Sequence, residues 1–243
     1  AMSVFLYAFE RRESLLDIFE TYAGGRLTIH GMRLGGVPFD FDESVIGMIR
    51  KALDTVPGTL ADMEGLLNDN RIWRHRTEGI GFISPSDALE NGLTGPCLRA
   101  AGMAWDIRRD LPYSSYEDFD FEVPVRTGSD VYDRYLVRME EMRQSLRIVC
   151  QALDRLPPGE HIAKVPRVLR VPPGEIFHSI EAPKGELGFF IRSNGTDKPE
   201  RIKMKSPSFI NLQSLERMCK GNLFSDIVGI LGSLDIVLGE IDK

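Results

Sequence analysis

The chain has 243 residues, a formal net charge of −6, 42% hydrophobic and 27% charged residues. That balance is ordinary for a globular protein, and an acidic chain excludes nucleic acid as the main partner, because phosphate binding needs a basic surface. The length suffices for one sizeable core, so the sequence reads as a single domain, 1–243. Cys97, Cys150 and Cys219 form no Cys-x-x-Cys motif, and their odd number gives no disulfide framework. They read as small buried apolar residues in a reducing compartment. The most apolar long stretch, Leu223 to Ile241, is interrupted by Asp226, Asp235 and Glu240, so it does not read as membrane-spanning. The opening apolar run is cut by Glu10-Arg11-Arg12-Glu13, too early for a signal peptide.

Ala1 to Tyr22 predicts one helix, apolar to Phe9 and amphipathic afterwards, with Gly24-Gly25 as its stop. It has no N-cap residue, and its most hydrophobic residues come first. The sequence therefore reads as the C-terminal piece of a longer protein. Arg26 to Ile29 is expected to be extended, followed by a loop through Gly36. Residues 42–55 and 59–68 predict two helices separated by Pro57-Gly58, the second capped by Thr59. Ser86 is expected to cap a short helix that ends at Asn91-Gly92. Thr94 to Arg126, rich in Gly, Pro, Asp and Tyr, predicts an ordered loop wrapped over the core or used as contact surface.

Residues 130–156 predict the central core helix. Val131, Tyr135, Met139, Met142, Leu146, Val149, Leu153 and Leu156 form one apolar stripe at helical spacing. Arg134, Arg138, Glu141, Arg143 and Gln144 fall off that stripe and read as a solvated face supported by ion pairs one turn apart. Such a stripe needs covering helices, and the first and last helices are the natural candidates, giving a helix bundle. A Pro-rich linker follows to Gly174. Residues 175–206 predict a small antiparallel β lobe with turns at Pro183-Lys184-Gly185 and Asn194-Gly195-Thr196-Asp197. Residues 207–243 return to helix, with segments at Leu212–Lys220 and Leu223–Leu231. No glycine-rich nucleotide motif, nucleophile elbow or clustered metal-ligand set is present.

Several separated motifs together resemble the large, quinone-site subunit of respiratory complex I (NADH-quinone oxidoreductase), its D subunit. They are Arg33-Leu34-Gly35-Gly36-Val37, Asn70-Arg71-Ile72-Trp73, Gly95-Pro96-Cys97-Leu98-Arg99, Trp105-Asp106-Ile107-Arg108, Tyr132-Asp133-Arg134-Tyr135, Glu141-Met142-Arg143-Gln144-Ser145 and Glu181-Ala182-Pro183-Lys184-Gly185-Glu186. The C-terminal stretch from Ser206 to Lys243 adds to them. The resemblance implies a mainly α fold with the small antiparallel β lobe, and a helix-bundle core like that of the nickel–iron hydrogenase large subunit. Where those hydrogenases end in a metal-holding Cys-x-x-Cys, this chain has Val237 and Glu240, which offer no thiolate pair.

By the same resemblance, the protein packs against a small iron–sulfur subunit, other peripheral-arm subunits and a membrane-arm subunit. Quinone is reduced between it and the small subunit. The chain itself would bind no cofactor, with iron–sulfur clusters and flavin held by partners. It would sit peripherally at the cytoplasmic face of the membrane. Phe5, Leu6 and Val237 match walls of the quinone pocket, although Leu6 also reads as plain core. Asp235 is either a turn carboxylate or part of a polar cluster near the cavity, and the sequence does not choose. Thr28 and Arg33 match positions near the partner's iron–sulfur cluster. Thr28 replaces a His common in relatives and cannot titrate near neutral pH, while His30 reads as a surface or satisfied core residue. That replacement predicts a cluster of lower, less pH-dependent potential.

A His and a Tyr that bind the quinone headgroup in the family correspond to positions upstream of Ala1, so this piece alone is expected to be inactive. Relatives also carry an extra helical segment where the 157–174 linker stands. Alternatives are the large subunit of an F420H2- or ferredoxin-linked complex, and a metal-free hydrogenase-like scaffold without quinone chemistry.

Overall fold

The computed structural model describes Met2 to Asp242, so Ala1, at the head of the first predicted helix, lies outside the described residues. The chain is mainly helical with one three-stranded antiparallel sheet. It separates into two compact units, Ala1–Trp73 with Ser145–Arg167, and Arg74–Gln144 with Val168–Lys243. Length suggests one domain, but length sets only what a core can reach, not how contacts divide.

The first unit is built on α1 (Met2–Ala23) packed against α2 (Glu43–Leu67). Where the sequence predicts two helices, there is one, with Pro57 inside it. A proline in a helix interior costs about 3 kcal/mol. Val45, Ala52, Leu60 and Leu67 form one buried stripe on either side of Pro57. Burying each of the three large side chains contributes about 1.5–3 kcal/mol, so packing wins over local propensity. Asp42 Oδ1 accepts the Val45 N–H at 2.8 Å and caps this helix, while Thr59 Oγ1 accepts the Arg11 Nε–H at 3.0 Å from within it.

Residues 26–29 are a bend rather than an extended segment. Arg26 turns back on α1 and pairs with Asp17 (3.2 Å), Glu20 (2.8 Å) and Glu13. Arg33 and Gly36 then exchange backbone hydrogen bonds across a tight turn. Gly36 bridges Ile162, and a Cβ there would stand 2.2 Å from the His161 carbonyl oxygen. Only glycine permits that approach, which explains one residue of the Arg-Leu-Gly-Gly motif.

In the second unit, α3 (Arg71–His75) leads to α4 (Pro85–Glu90). Ser84, not Ser86, caps α4 by accepting the Asp87 N–H at 3.1 Å. The segment expected to wrap over the core begins at its centre, since Leu93 to Ala101 is buried throughout around α5 (Pro96–Ala100), while residues 102–126 are mostly exposed or half-buried and largely irregular. A five-residue helix buried on all sides has no amphipathic period to reveal it. Ile83, Ala88, Leu93, Cys97, Leu98 and Met218 belong to the core around it. Of the three cysteines, Cys97 is buried as expected, but Cys150 is exposed.

The long helix α7 (Val131–Asp154) forms where predicted, but its buried face only partly follows the predicted stripe. Val131 and Met139 of the predicted stripe are buried, but Met142, Val149 and Leu156 are exposed, whereas Arg134, Val137 and Gln144 off the stripe are buried and Glu141 nearly so. Charge ceases to mark the solvent side when each buried charge has partners waiting for it. The β lobe matches its prediction closely: β1 (Gly174–Ala182), β2 (Gly185–Ser193) and β3 (Arg201–Lys205) lie in that order. The C-terminal region is α8 (Pro207–Gln213), α9 (Leu215–Cys219), α10 (Ile227–Leu234) and α11 (Leu238–Ile241). Among the described residues, no helix is long and apolar enough to cross a membrane.

Candidate functional site

The last turn of the chain is assembled from four elements of the second unit. Asp235 ends α10 in the left-handed conformation (φ 54°, ψ 47°). A non-glycine residue there is uncommon, and Asp is one of the few that tolerates it. Its carboxylate lies 2.9 Å from Lys184 Nζ, in the β1–β2 turn, and 4.0 Å from Arg138 Nε on α7. Two residues on, the Val237 N–H donates to Ser208 Oγ at 3.3 Å. Ser208 and Ser206 donate to Glu240 Oε2 at 2.6 and 3.2 Å. Asp235 is therefore a helix-end turn carboxylate facing two cations. A groove of about 670 Å³ reaches α11 beyond the turn, with Phe177, Phe190, Met204, Phe209, Glu240 and Ile241 among its lining residues.

Beneath this turn, the α7 face that the sequence presents as solvated carries a buried guanidinium, Arg134, and a half-buried one, Arg138. Arg134 has no exposed surface, and its guanidinium donates to Ser233 Oγ (2.8 Å), Ser129 O (3.1 Å) and Gly81 O (2.9 Å), all neutral acceptors. Burial pulls its pKa down to about 10, still protonated at neutral pH. Arg138 donates through Nη1 to the Arg134 carbonyl at 3.1 Å, and its buried Nε has no hydrogen-bond partner.

Arg99, from α5, is the centre of a second network. It reaches Glu141 on α7 (2.7 Å), Glu181 at the end of β1 (2.8 Å), Asp106 (3.6 Å) and the Trp105 carbonyl (2.9 Å). Asp106 also pairs with Arg108 at 2.6 Å and caps α6 (Ile107–Asp110). Glu181 accepts the Ile107 N–H at 3.3 Å, and its own N–H donates to Tyr113 Oη at 3.2 Å. Burial pushes the Tyr113 phenol up to about 12. Burial works against the Arg99 charge, but Glu141, Glu181 and Asp106 together hold its pKa above the usual value. Burial likewise raises Glu141 and Glu181 despite Arg99, with Asp106 adding to the shift of Glu181. Burial would also raise Asp106, yet the hydrogen bonds and charge of Arg108, then Arg99, hold it below its usual value.

The residues singled out in the sequence are thus distributed over both units. Phe5 and Leu6 are exposed on α1, at 54% and 63%, so plain core packing does not describe Leu6. Thr28, His30 and Arg33 are also exposed in the first unit. Asp235 and Val237 share one turn in the second. Lys184, Arg138, Arg99 and Glu181 carry no assigned role in the sequence reading. Their signal was present as charges inside the Pro-Cys-Leu-Arg, Glu-Ala-Pro-Lys-Gly-Glu and α7 motifs.

The family model described as respiratory-chain NADH dehydrogenase, 49 Kd subunit, matches residues 1–169 and 160–243. The chain belongs to this family. Its two matched stretches overlap at residues 160–169, inside the Pro-rich linker. The chain is 46% identical over 268 residues to the NADH-quinone oxidoreductase D subunit of Geotalea uraniireducens, covering 100% of the chain and 69% of that relative. Solibacter usitatus has two such D subunits. The chain is 48% identical over 243 residues to one, covering 100% of the chain and 66% of the relative. It is 46% identical over 268 residues to the other, with the same coverage of 100% and 66%. The chain spans about two thirds of the length of these 49 kDa family members.

Proposed function

We propose that this chain forms part of the wall of a quinone-reduction chamber in a proton-translocating NADH-quinone oxidoreductase. The observation that carries the reading is the family match across the whole chain, including the C-terminal turn. Electrons reach the chamber from an iron–sulfur cluster held by a small partner subunit, and each quinone takes up two electrons and two protons. The contribution of this chain is shape and placement: Phe5, Leu6 and Val237 give apolar wall, and Asp235 anchors the turn that carries Val237. The chain holds no redox group of its own; clusters and flavin belong to partners. Thr28 and Arg33 stand near the partner cluster, whose potential is lower and less pH-dependent for want of a His at 28. The protein is held at the cytoplasmic face of the membrane by its partners, and without the rest of the full-length polypeptide this chain is inactive.

The test is to tag the native full-length protein at its C-terminus, purify its complex gently and identify what comes with it. An iron–sulfur small subunit with antiporter-like membrane proteins is the expected result, and the input subunits name the donor. Recovery of the protein alone, under conditions that keep a control complex intact, contradicts the reading and leaves a scaffold without quinone chemistry. Nickel in the native complex would instead indicate hydrogenase chemistry.

A further inference from the structure

We infer that Lys184 and Arg138 are positioning residues for the quinone wall: together they clamp Asp235 and so fix where Val237 stands. The inference rests on the chamber reading given above, and it assigns the two cations no contact with quinone.

The clamp has a rigid side and an adjustable side. Lys184 belongs to the rigid side. Its carbonyl accepts Asn211 Nδ2–H at 3.0 Å, and the neighbouring Glu186 N–H donates to Thr94 Oγ1 at 3.0 Å. Gly185 lies so close to Gly95 that a Cβ on Gly95 would stand 2.5 Å from the Gly185 Cα. The turn carrying the ammonium is therefore wedged against the buried α5 segment and cannot shift. Arg138 is set as firmly, one helical turn from Arg134, whose own guanidinium holds Ser233 two residues before Asp235.

Asp235 is the adjustable side. Its left-handed backbone is a sparsely populated state for a residue with a Cβ, so a change of φ and ψ there would swing the Ile236–Val237 segment. At the far end of the turn the Ser206, Ser208 and Glu240 hydroxyl–carboxylate set and the Glu240 N–H on the Val237 carbonyl hold it. One carboxylate facing two fixed cations selects a single arrangement of this turn. Because the Asp235 side chain is 47% exposed, the pairs contribute little to folding, and their effect falls on geometry. Misplacing a wall by a fraction of an ångström weakens productive binding of substrate without altering the electron supply.

The experiment uses the assembled complex with the full-length protein and a short-chain soluble quinone. K184M, K184R, R138M, D235N and V237F are compared for KM and kcat, with the iron–sulfur signals as the assembly control. K184M and R138M are expected to raise KM about twofold, as fits a weak, exposed pair, with kcat unchanged. K184R, whose guanidinium can still reach Asp235, restores KM, and K184M adds nothing in a D235N background. V237F reports on the chamber reading itself. If V237F raises KM while K184M leaves it at the wild-type value, the clamp is overturned and the chamber reading stands. If V237F leaves KM unchanged in an assembled complex, the chamber reading fails and the clamp falls with it. Loss of assembly in K184M, repeated in K184Q, would make Lys184 a folding residue and equally overturn the assignment.

Discussion

Arg99 and Asp235 each hold several opposite charges in the same unit of the molecule, but they differ in their access to water. Side-chain exposure is 2% for Arg99 and at most 16% for its partners Asp106, Glu141 and Glu181. Asp235 is 47% exposed. Charges sealed from water are held at the cost of their hydration, so removing one partner leaves the others uncompensated. Charges in contact with water lose little when separated. The same pairing therefore ties α5, α6, α7 and β1 together in one place and only orients a turn in the other.

Changes that would break this contrast can be ranked. Arg99→Met removes the cation shared by Glu141, Glu181 and Asp106, although Asp106 keeps Arg108, and denaturant unfolding of the chain should show a loss of about 3–5 kcal/mol. A loss below about 1 kcal/mol would mean that the network is wetter than its geometry indicates. Arg134→Met is intermediate. It relieves a buried charge that has only neutral acceptors but abandons the Gly81 and Ser129 carbonyls, so a net loss of about 2 kcal/mol is expected from the same measurement.

The pH profile gives a third comparison. Glu141 and Glu181 have folded-state pKa values raised above the usual 4.5 by burial. Their contribution to stability is fully present below 4.5 and is lost as pH rises through the folded values. Asp106 has the opposite sign: its contribution is present above 3.8 and is lost as pH falls through its lowered value. Unfolding midpoints of the wild type should therefore decline from about pH 4.5 towards neutrality. The E141Q/E181Q pair should flatten that decline, and an unchanged slope would remove the two glutamates from the explanation. The smallest effect belongs to Lys184→Met, with a loss of less than about 1 kcal/mol.

The ease of reading these regions from sequence follows the same division. The β lobe was legible because its turns are spelled by Pro-Lys-Gly and Asn-Gly-Thr-Asp and its strands are short and apolar. The motif set identified the family, and the C-terminal turn was marked by Asp235 standing alone between Leu234 and Ile236. The Arg99 network was hidden because Leu93 to Ala101 has no period and Arg134 and Glu141 look solvated when their partners lie far away in sequence. Pro57 misled for a related reason: a local breaker was outweighed by a stripe buried against α1. Sequence patterns report what a residue prefers, whereas these positions were settled by tertiary partners.

Paired double-mutant cycles by denaturant unfolding test the contrast most directly, one on Arg99 with Glu181 and one on Lys184 with Asp235. The first pair should show a coupling of about 1.5–3 kcal/mol and the second less than about 0.5 kcal/mol. Equal couplings, or a larger one at Asp235, would contradict the division between a network that holds the fold and a clamp that places a turn.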